Sequence, residues 1–352
     1  MSLGPLMIDI EGLALDARDR ELLAHPLIGG VILFSRNYTD RAQLASLCHD
    51  IHARRNPPLL IAVDHEGGRV QRFRAGFTEL PPMARLGEDF ARAPLPALAL
   101  ATELGWLMAA ELRAVGVDFS FAPVLDLYTA SSRVINDRAF HAEPEVVGRL
   151  AQAFVRGMHA AGMSAVGKHF PGHGTVIADS HHELPIDRRP LSRLRHRDLV
   201  PFRLLCAAGI DAIMPAHILF PAVDSVPVGY SKRWLSEVLR GELQFQGAIF
   251  SDDLSMSGAA IGNSHLERAH QALGAGCDIC LVCNDRPAVE QLLGQLVVQP
   301  HPLSLVRLMR MHGRHALGEL ELAADPRHAL ARHAVERLAA APSLELGDDA
   351  PA

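Results

Sequence analysis

EPEVVGRLAQAFVRGMHAAGMSAVGKHF, residues 143–170, carries the fold in miniature. Over 143–161 apolar residues recur at the spacing of one helix face. Two residues later, SAVGKHF (164–170) is a short run that starts apolar and ends in Lys168 and His169. A helix pattern feeding a strand pattern is part of a βαβ unit. Working outward, seven more such runs appear: 6–10, 29–34, 59–64, 117–127, 211–220, 247–254 and 277–284. Helical patterns lie between them at 39–54, 96–115, 190–208, 231–243, 264–275 and 286–297. Strands alternating with helices predict a parallel sheet. Eight of them predict an α/β fold closed as a (β/α)₈ TIM barrel, rather than an open doubly wound sheet, one domain over residues 1–320. Helical patterns at 302–317 and 325–340 and a polar end predict a helical extension and tail over 321–352.

The polar residues cluster at the ends of these runs: Asp64, Asp126, Lys168 with His169, His217, Asp252 with Asp253, Asn284 with Asp285. In a barrel those ends meet at one mouth, where chemistry is done.

Composition narrows the class. With 352 residues the chain can bury a large core without staples. It has 49% hydrophobic and 21% charged residues, which is ordinary globular composition. A net charge of −6 without a basic stripe argues against nucleic-acid binding. The start, MSLGPLMIDIEG, lacks the basic stretch of a secretion signal. The longest apolar region, 95–116, is interrupted by Glu103, Glu111 and Arg113, so no membrane span is expected. Five cysteines, an odd number, fit a reducing cytoplasm better than a disulfide framework. Cys277, Cys280 and Cys283 have cluster-like spacing, but strand alternation would send Cys277 and Cys280 to opposite faces. Cys48 and Cys206 read as helix core.

Three segments can carry chemistry. GKHFPGHGTVIADSHHELP (167–185) holds four histidines on a loop shaped by glycine and proline. Asp179 and His181 lie two apart, a spacing that lets a carboxylate orient an imidazole for acid/base work. GAIFSDDLSMSG (247–258) places an acidic pair at a strand end, where a carboxylate can be a nucleophile, a metal ligand, a ribose anchor or a helix cap. LLIAVDHEGGRVQR (59–72) ends a strand in Asp64 and follows with Arg69 and Arg72. Asp64 could accept from two adjacent sugar hydroxyls. Its Gly-Gly pair lacks the third glycine of a dinucleotide fingerprint.

Together KHFPGHG (168–174), DSH (179–181), FSDDLSM (250–256), VDHEGGRVQR (63–72) and RAF (138–140) resemble glycoside hydrolase family 3. Within it they resemble the single-domain bacterial β-N-acetylglucosaminidases of peptidoglycan recycling. The resemblance spans about residues 5–315. It implies a cytoplasmic, retaining exo-β-N-acetylglucosaminidase that acts on a small amino-sugar muropeptide during wall turnover. No cofactor, metal, nucleic acid or membrane is implied, and the chain is expected as a monomer. Asp252 then looks like the nucleophile and His181 the proton donor and acceptor, with Asp179 as its partner. Asp64, Arg72, Arg138, Lys168 and His169 look like the residues that grip N-acetylglucosamine; Asp253 gains no role. Many relatives have Asp after the GHG glycine, where this chain has Thr175.

A retaining glycosidase needs a nucleophile under the anomeric carbon and an acid/base beside the leaving oxygen. An imidazole with ordinary pKa near 6.5 can serve both proton steps at neutral pH. Three other readings compete. One is a metal-dependent barrel hydrolase with His169, His173, His181, His217 and Asp252 as ligands. Another is a non-catalytic sugar binder. The third is phosphorolysis of the same glycosyl-enzyme, since a histidine repels an incoming anion less than a carboxylate would.

Overall fold

The computed structural model describes residues 2–130, 132, 134–173, 184–259, 264–299, 301–315 and 317–340. Its strands are β1 (Leu6–Asp9), β2 (Ile28–Leu33), β3 (Leu60–Val63), β4 (His65–Gly67) and β5 (Val70–Gln71). β6 (Phe119–Ser120), β7 (Ser164–Phe170), β8 (Ala212–Pro215), β9 (Ala248–Ile249) and β10 (Cys280–Val282) follow. Eight of them form one parallel sheet in the order β10-β1-β2-β3-β6-β7-β8-β9. β4 and β5 are a short antiparallel hairpin inserted after β3.

The expected closed TIM barrel is corrected by this order. The ladder ends at β9 on one side and β10 on the other, so the sheet is an open, curled half-barrel. Among the described residues, Phe250 and Ile279 form a single isolated bridge between those edges. Backbone bonds run there from the Ser251, Leu254 and Asp278 amides to the Ile279, Leu281 and Ile249 carbonyls at 2.8–2.9 Å, but side chains take other amides of the seam. Asp278 accepts the Ile249 amide at 2.8 Å, Ser251 Oγ the Leu281 amide at 3.0 Å, and Asp253 the Cys283 amide at 3.1 Å. An amide spent on a side-chain oxygen is lost to strand pairing.

The helices broadly follow the expected periodicity, although among its described residues the pattern at 302–317 is helical only over Pro302–Met309, and Ala17–Leu23, Ala84–Arg92 and Glu319–Ala324 were not expected. The pattern at 190–208 splits into Leu191–Arg195 and Leu199–Ala207. Asp198, between them, turns inward to Arg189. The pattern at 231–243 is a π-helix, Arg233–Glu242. Pro94 and Pro144 start their helices in the first turn, where the missing N–H costs nothing. Those two helices cross at glycines. A Cβ on Gly105 would lie 2.1 Å from the Phe154 carbonyl, and one on Gly157 would lie 2.0 Å from that of Thr102. By length and composition, Pro94–Ala114 is the one described helix that could cross a membrane. It is instead a core helix. Its Glu103 pairs with Arg327 at 2.8 Å, and its Glu111 accepts from Thr78 and meets His328. Through those pairs the last helix, Pro326–Ala340, docks onto it.

The concave side of the sheet is filled by rings. Phe119, Phe121 and Phe250 are fully buried, with centroids 5.3–5.6 Å apart. Tilted and edge-on pairs of this kind add about 0.5–1.5 kcal/mol each beyond burial. The plug closes the space beneath the carboxyl ends of the strands, where open α/β sheets bind ligands.

Candidate active site

A pocket of about 410 Å³ opens at the carboxyl ends of the strands. Parallel pairing puts the polar strand ends there. Asp64 follows β3, Lys168 and His169 sit in β7, and Asp252 lies three residues past the end of β9. Arg72 follows the hairpin, and Arg138 comes from a single 3₁₀ turn, Asn136–Arg138. All six line the pocket. His181 and Asp179 lie outside the described residues.

Charge is concentrated at the closed end. Lys168 Nζ lies 2.8 Å from Asp64 and 2.6 Å from Glu66. Arg138 grips both oxygens of Glu66 at 2.8 Å. Arg72 meets the other oxygen of Asp64 at 3.3 Å. Burial by itself would raise the carboxyl of Asp64, but Lys168 and Arg72 outweigh it and hold it below its ordinary value. Burial opposes ionisation of Glu66 too, yet Arg138 and Lys168 hold its carboxyl well below the carboxylate range. Burial would lower the Lys168 ammonium; Asp64 and Glu66 raise it. The network is therefore ionised at neutral pH, with pre-set donors and acceptors for hydroxyl groups. Phe121 lies beneath it, 5.9 Å from Lys168 Nζ.

Asp126, at the end of the predicted run 117–127, is fully buried. One oxygen accepts from His169 Nδ1 at 2.6 Å; the other accepts the His173 amide. An ionised carboxylate only accepts, so His169 carries its proton on Nδ1. Burial would raise the Asp126 carboxyl, and the neighbouring His169 ring, with its hydrogen bond, pulls it below the ordinary value. His173 also lines the pocket, 2% exposed, and neither ring nitrogen has a hydrogen-bond partner among the described residues. Burial lowers its pKa, so it is a neutral imidazole.

On the opposite wall the Asp253 amide donates to Asp252 Oδ1 at 2.9 Å. Asp253 accepts the Ser255 and Cys283 amides, and burial pushes its carboxyl up to about 7. His217 stands behind this turn, with Nε2 donating to the Asp253 carbonyl at 3.0 Å.

Three residues that build this site were missed or read differently in the sequence. Glu66 is the hub of the charged network. Its signal was alternation, since residues two apart on an extended segment share a face with Asp64. Asp126 was noted only as a polar strand end. His173 had been weighed only as a metal ligand. The metal reading gathers His169, His173 and Asp252 in one pocket, whereas His217 faces a carbonyl. Among the described residues no three His, Cys, Asp or Glu side chains are grouped to hold a metal ion. Cys283 lines this pocket, while Cys277 lines a different cavity, so the cluster-like cysteines are divided.

Residues 6–306 match the N-terminal domain of glycosyl hydrolase family 3. The chain belongs to that family. Family 3 membership agrees with its relatives. A beta-hexosaminidase of Nitrosospira multiformis is 55% identical over 314 residues, 89% of this chain and 90% of that one. A beta-hexosaminidase of Thioalkalivibrio sulfidiphilus is 53% identical over 98% of this chain and 99% of its own. Among solved family 3 structures, NagZ from Neisseria gonorrhoeae in complex with N-trifluoroacetyl-D-glucosamine superposes with a TM-score of 0.91. It shares 43% identity and covers 96% of this chain and 99% of its own. The chain is a glycoside hydrolase.

Proposed function

We infer that this family 3 hydrolase is an exo-β-N-acetylglucosaminidase. It removes terminal N-acetylglucosamine from N-acetylglucosaminyl-1,6-anhydro-N-acetylmuramyl peptides, with retention. The observation that carries this reading is the pocket itself. It is closed below by the aromatic plug and lined at that end by Asp64, Lys168, Glu66 and Arg138. A site closed at one end accepts a chain terminus, and paired charges there recognise hydroxyls.

Asp252, on the wall, attacks the anomeric carbon from the face opposite the leaving oxygen and forms a glycosyl ester. His181, the acid/base of the family pattern with Asp179 as its partner in sequence, gives its proton to the leaving oxygen. It then takes one from the incoming water, so each cycle restores both groups. His169, with its proton fixed on Nδ1, presents Nε2 as an acceptor for a sugar hydroxyl. The five thiols are all unpaired, which supports a reducing, cytoplasmic location. No cofactor enters this scheme.

The test is product analysis of that disaccharide peptide in water and in phosphate buffer. Release of free N-acetylglucosamine at equal rates in both is expected. A sugar 1-phosphate formed only with phosphate would make the enzyme a phosphorylase. Failure on this substrate alongside good turnover of another β-sugar would overturn the substrate.

A further inference from the structure

We propose that the arginine cluster at 188–197 binds carboxylates of the peptide carried by the leaving group. The proposal rests on the muropeptide reading above. In a chain of net charge −6, these ten residues hold Arg188, Arg189, Arg193, Arg195, Arg197 and His196. Two of the arginines are spoken for. Arg189 meets Asp187 at 2.7 Å and Asp198 at 2.8 Å, and Arg195 meets Glu242 at 2.7 Å. Arg188, Arg193 and Arg197 are exposed and form no ion pair among the described residues. Arg189, Ser192, Arg193, His196 and Arg197 line a shallow concavity of about 650 Å³. One side of that concavity is pre-organised, because Arg189 is clamped by two buried carboxylates.

The cluster is tied on two sides to segments that lead to the sugar pocket. Asp198, which clamps Arg189, packs on Gly172; a Cβ there would lie 2.9 Å from the Asp198 Cβ. The next residue, His173, lines the pocket. On the other side Ile186 bridges to Leu219, and the Asp187 amide donates to the Leu219 carbonyl at 2.9 Å. Two residues before Leu219, His217 holds the Asp253 carbonyl beside Asp252. The segments on either side of the cluster are thus tied to Gly172 and Leu219, and the chain runs from those residues to His173 at the pocket and to His217 behind the nucleophile's turn.

With the non-reducing end at the closed end of the pocket, the leaving sugar and its peptide point out of the mouth. A stem peptide bears carboxylates, and the guanidinium fork matches a carboxylate with two parallel bonds. Exposed pairs are individually weak, and their combined field mainly speeds encounter and is screened by salt.

The experiment compares R193E/R197E with the wild type on three substrates. These are a neutral aryl β-N-acetylglucosaminide, the disaccharide without peptide, and the disaccharide with its acidic peptide. On the peptide substrate the variant should lose about five- to tenfold in kcat/KM, through KM. That loss should vanish in 0.5 M NaCl, where screening is short-ranged on the order of a few Å. On the aryl substrate it should stay within twofold. An unchanged rate on the peptide substrate, or an equal loss on all three, overturns the proposal. Failure of the wild type to cleave the aryl substrate would instead strike the function reading itself.

Discussion

Glu66 Oε1 stands 2.6 Å from Lys168 Nζ, and both side chains are 3% exposed. The same carboxylate holds Arg138 by two bonds, so one buried anion positions two cations of the pocket. Glu66→Gln keeps the shape and removes the charge. Stripping one partner from a buried ion network typically costs about 3–5 kcal/mol. Urea unfolding at pH 7 should show a loss of that order, together with a raised KM. Because the Glu66 carboxyl is depressed, its contribution is complete above the ordinary carboxylate pKa of about 4.3 and fades as pH falls below it. The gap between wild type and variant should therefore narrow in acid. A gap that widened there would show that Glu66 is not ionised in the fold.

Asp126 acts on the reaction through His169. In Asp126→Asn, the oxygen can still accept the His173 amide, but an NH₂ group would face His169 Nδ1. Two donors cannot pair, so the ring proton should move to Nε2. By analogy with outer-shell carboxylates elsewhere, kcat/KM should fall about 10- to 100-fold. Nitrogen NMR of the ring should report the changed tautomer. Lost activity with an unchanged tautomer would assign Asp126 a purely structural part.

Asp253 imposes a pH dependence of the opposite sense. Burial raises its carboxyl to about 7 in the fold, against about 3.9 in an unfolded chain. Its stabilising contribution is thus complete below about pH 4 and is lost as pH rises through about 7. Asp253→Asn can keep both amide bonds to Oδ1 and abolish that loss. Melting curves should coincide near pH 5 more closely than at pH 8.5, where the variant should melt at least about 3 °C higher. A variant that melts lower at pH 8.5 would show that the ionised carboxylate is needed.

Asp252 and His181 are separable by azide. Asp252→Ala removes the nucleophile, so activity should fall by orders of magnitude even with a good leaving group. Azide entering the vacated space would give the α-azide. His181→Ala keeps the nucleophile but removes the base that activates water, so the glycosyl-enzyme should accumulate. Azide, needing no base, should then speed turnover and give the β-azide. Poor leaving groups should suffer most, by about 10²–10⁴-fold. First-formed α product from the wild type would sink the retaining mechanism. A sugar ester mapped to Asp253 would move the nucleophile by one residue.

Much of the site is legible in sequence because parallel strands share a direction. Once Asp64, Lys168, His169 and Asp252 are each read at a strand's end, parallel pairing alone brings them to one mouth. Arg72 and Arg138 are different. They lie on irregular segments, and only the family resemblance gave them a role at the sugar. The hairpin β4–β5 was not anticipated, since its His65–Gly67 run is too short to show a period.

By itself the sequence determined the alternation of elements, their parallel sense and the family. Those properties follow from local hydrophobic period and from motifs a few residues long. Tertiary structure alone decided whether the sheet closes, and it left the sheet open. Asp278, Ser251 and Asp253 spend amides about thirty positions away, and no local pattern encodes which acceptor an amide finds. Tertiary structure likewise made Glu66 the hub of the pocket and Asp126 the anchor of His169. Those carboxylates count only because Lys168, Arg138 and His169 arrive beside them from distant segments. In a water-poor interior a charge without its partner is too costly to keep.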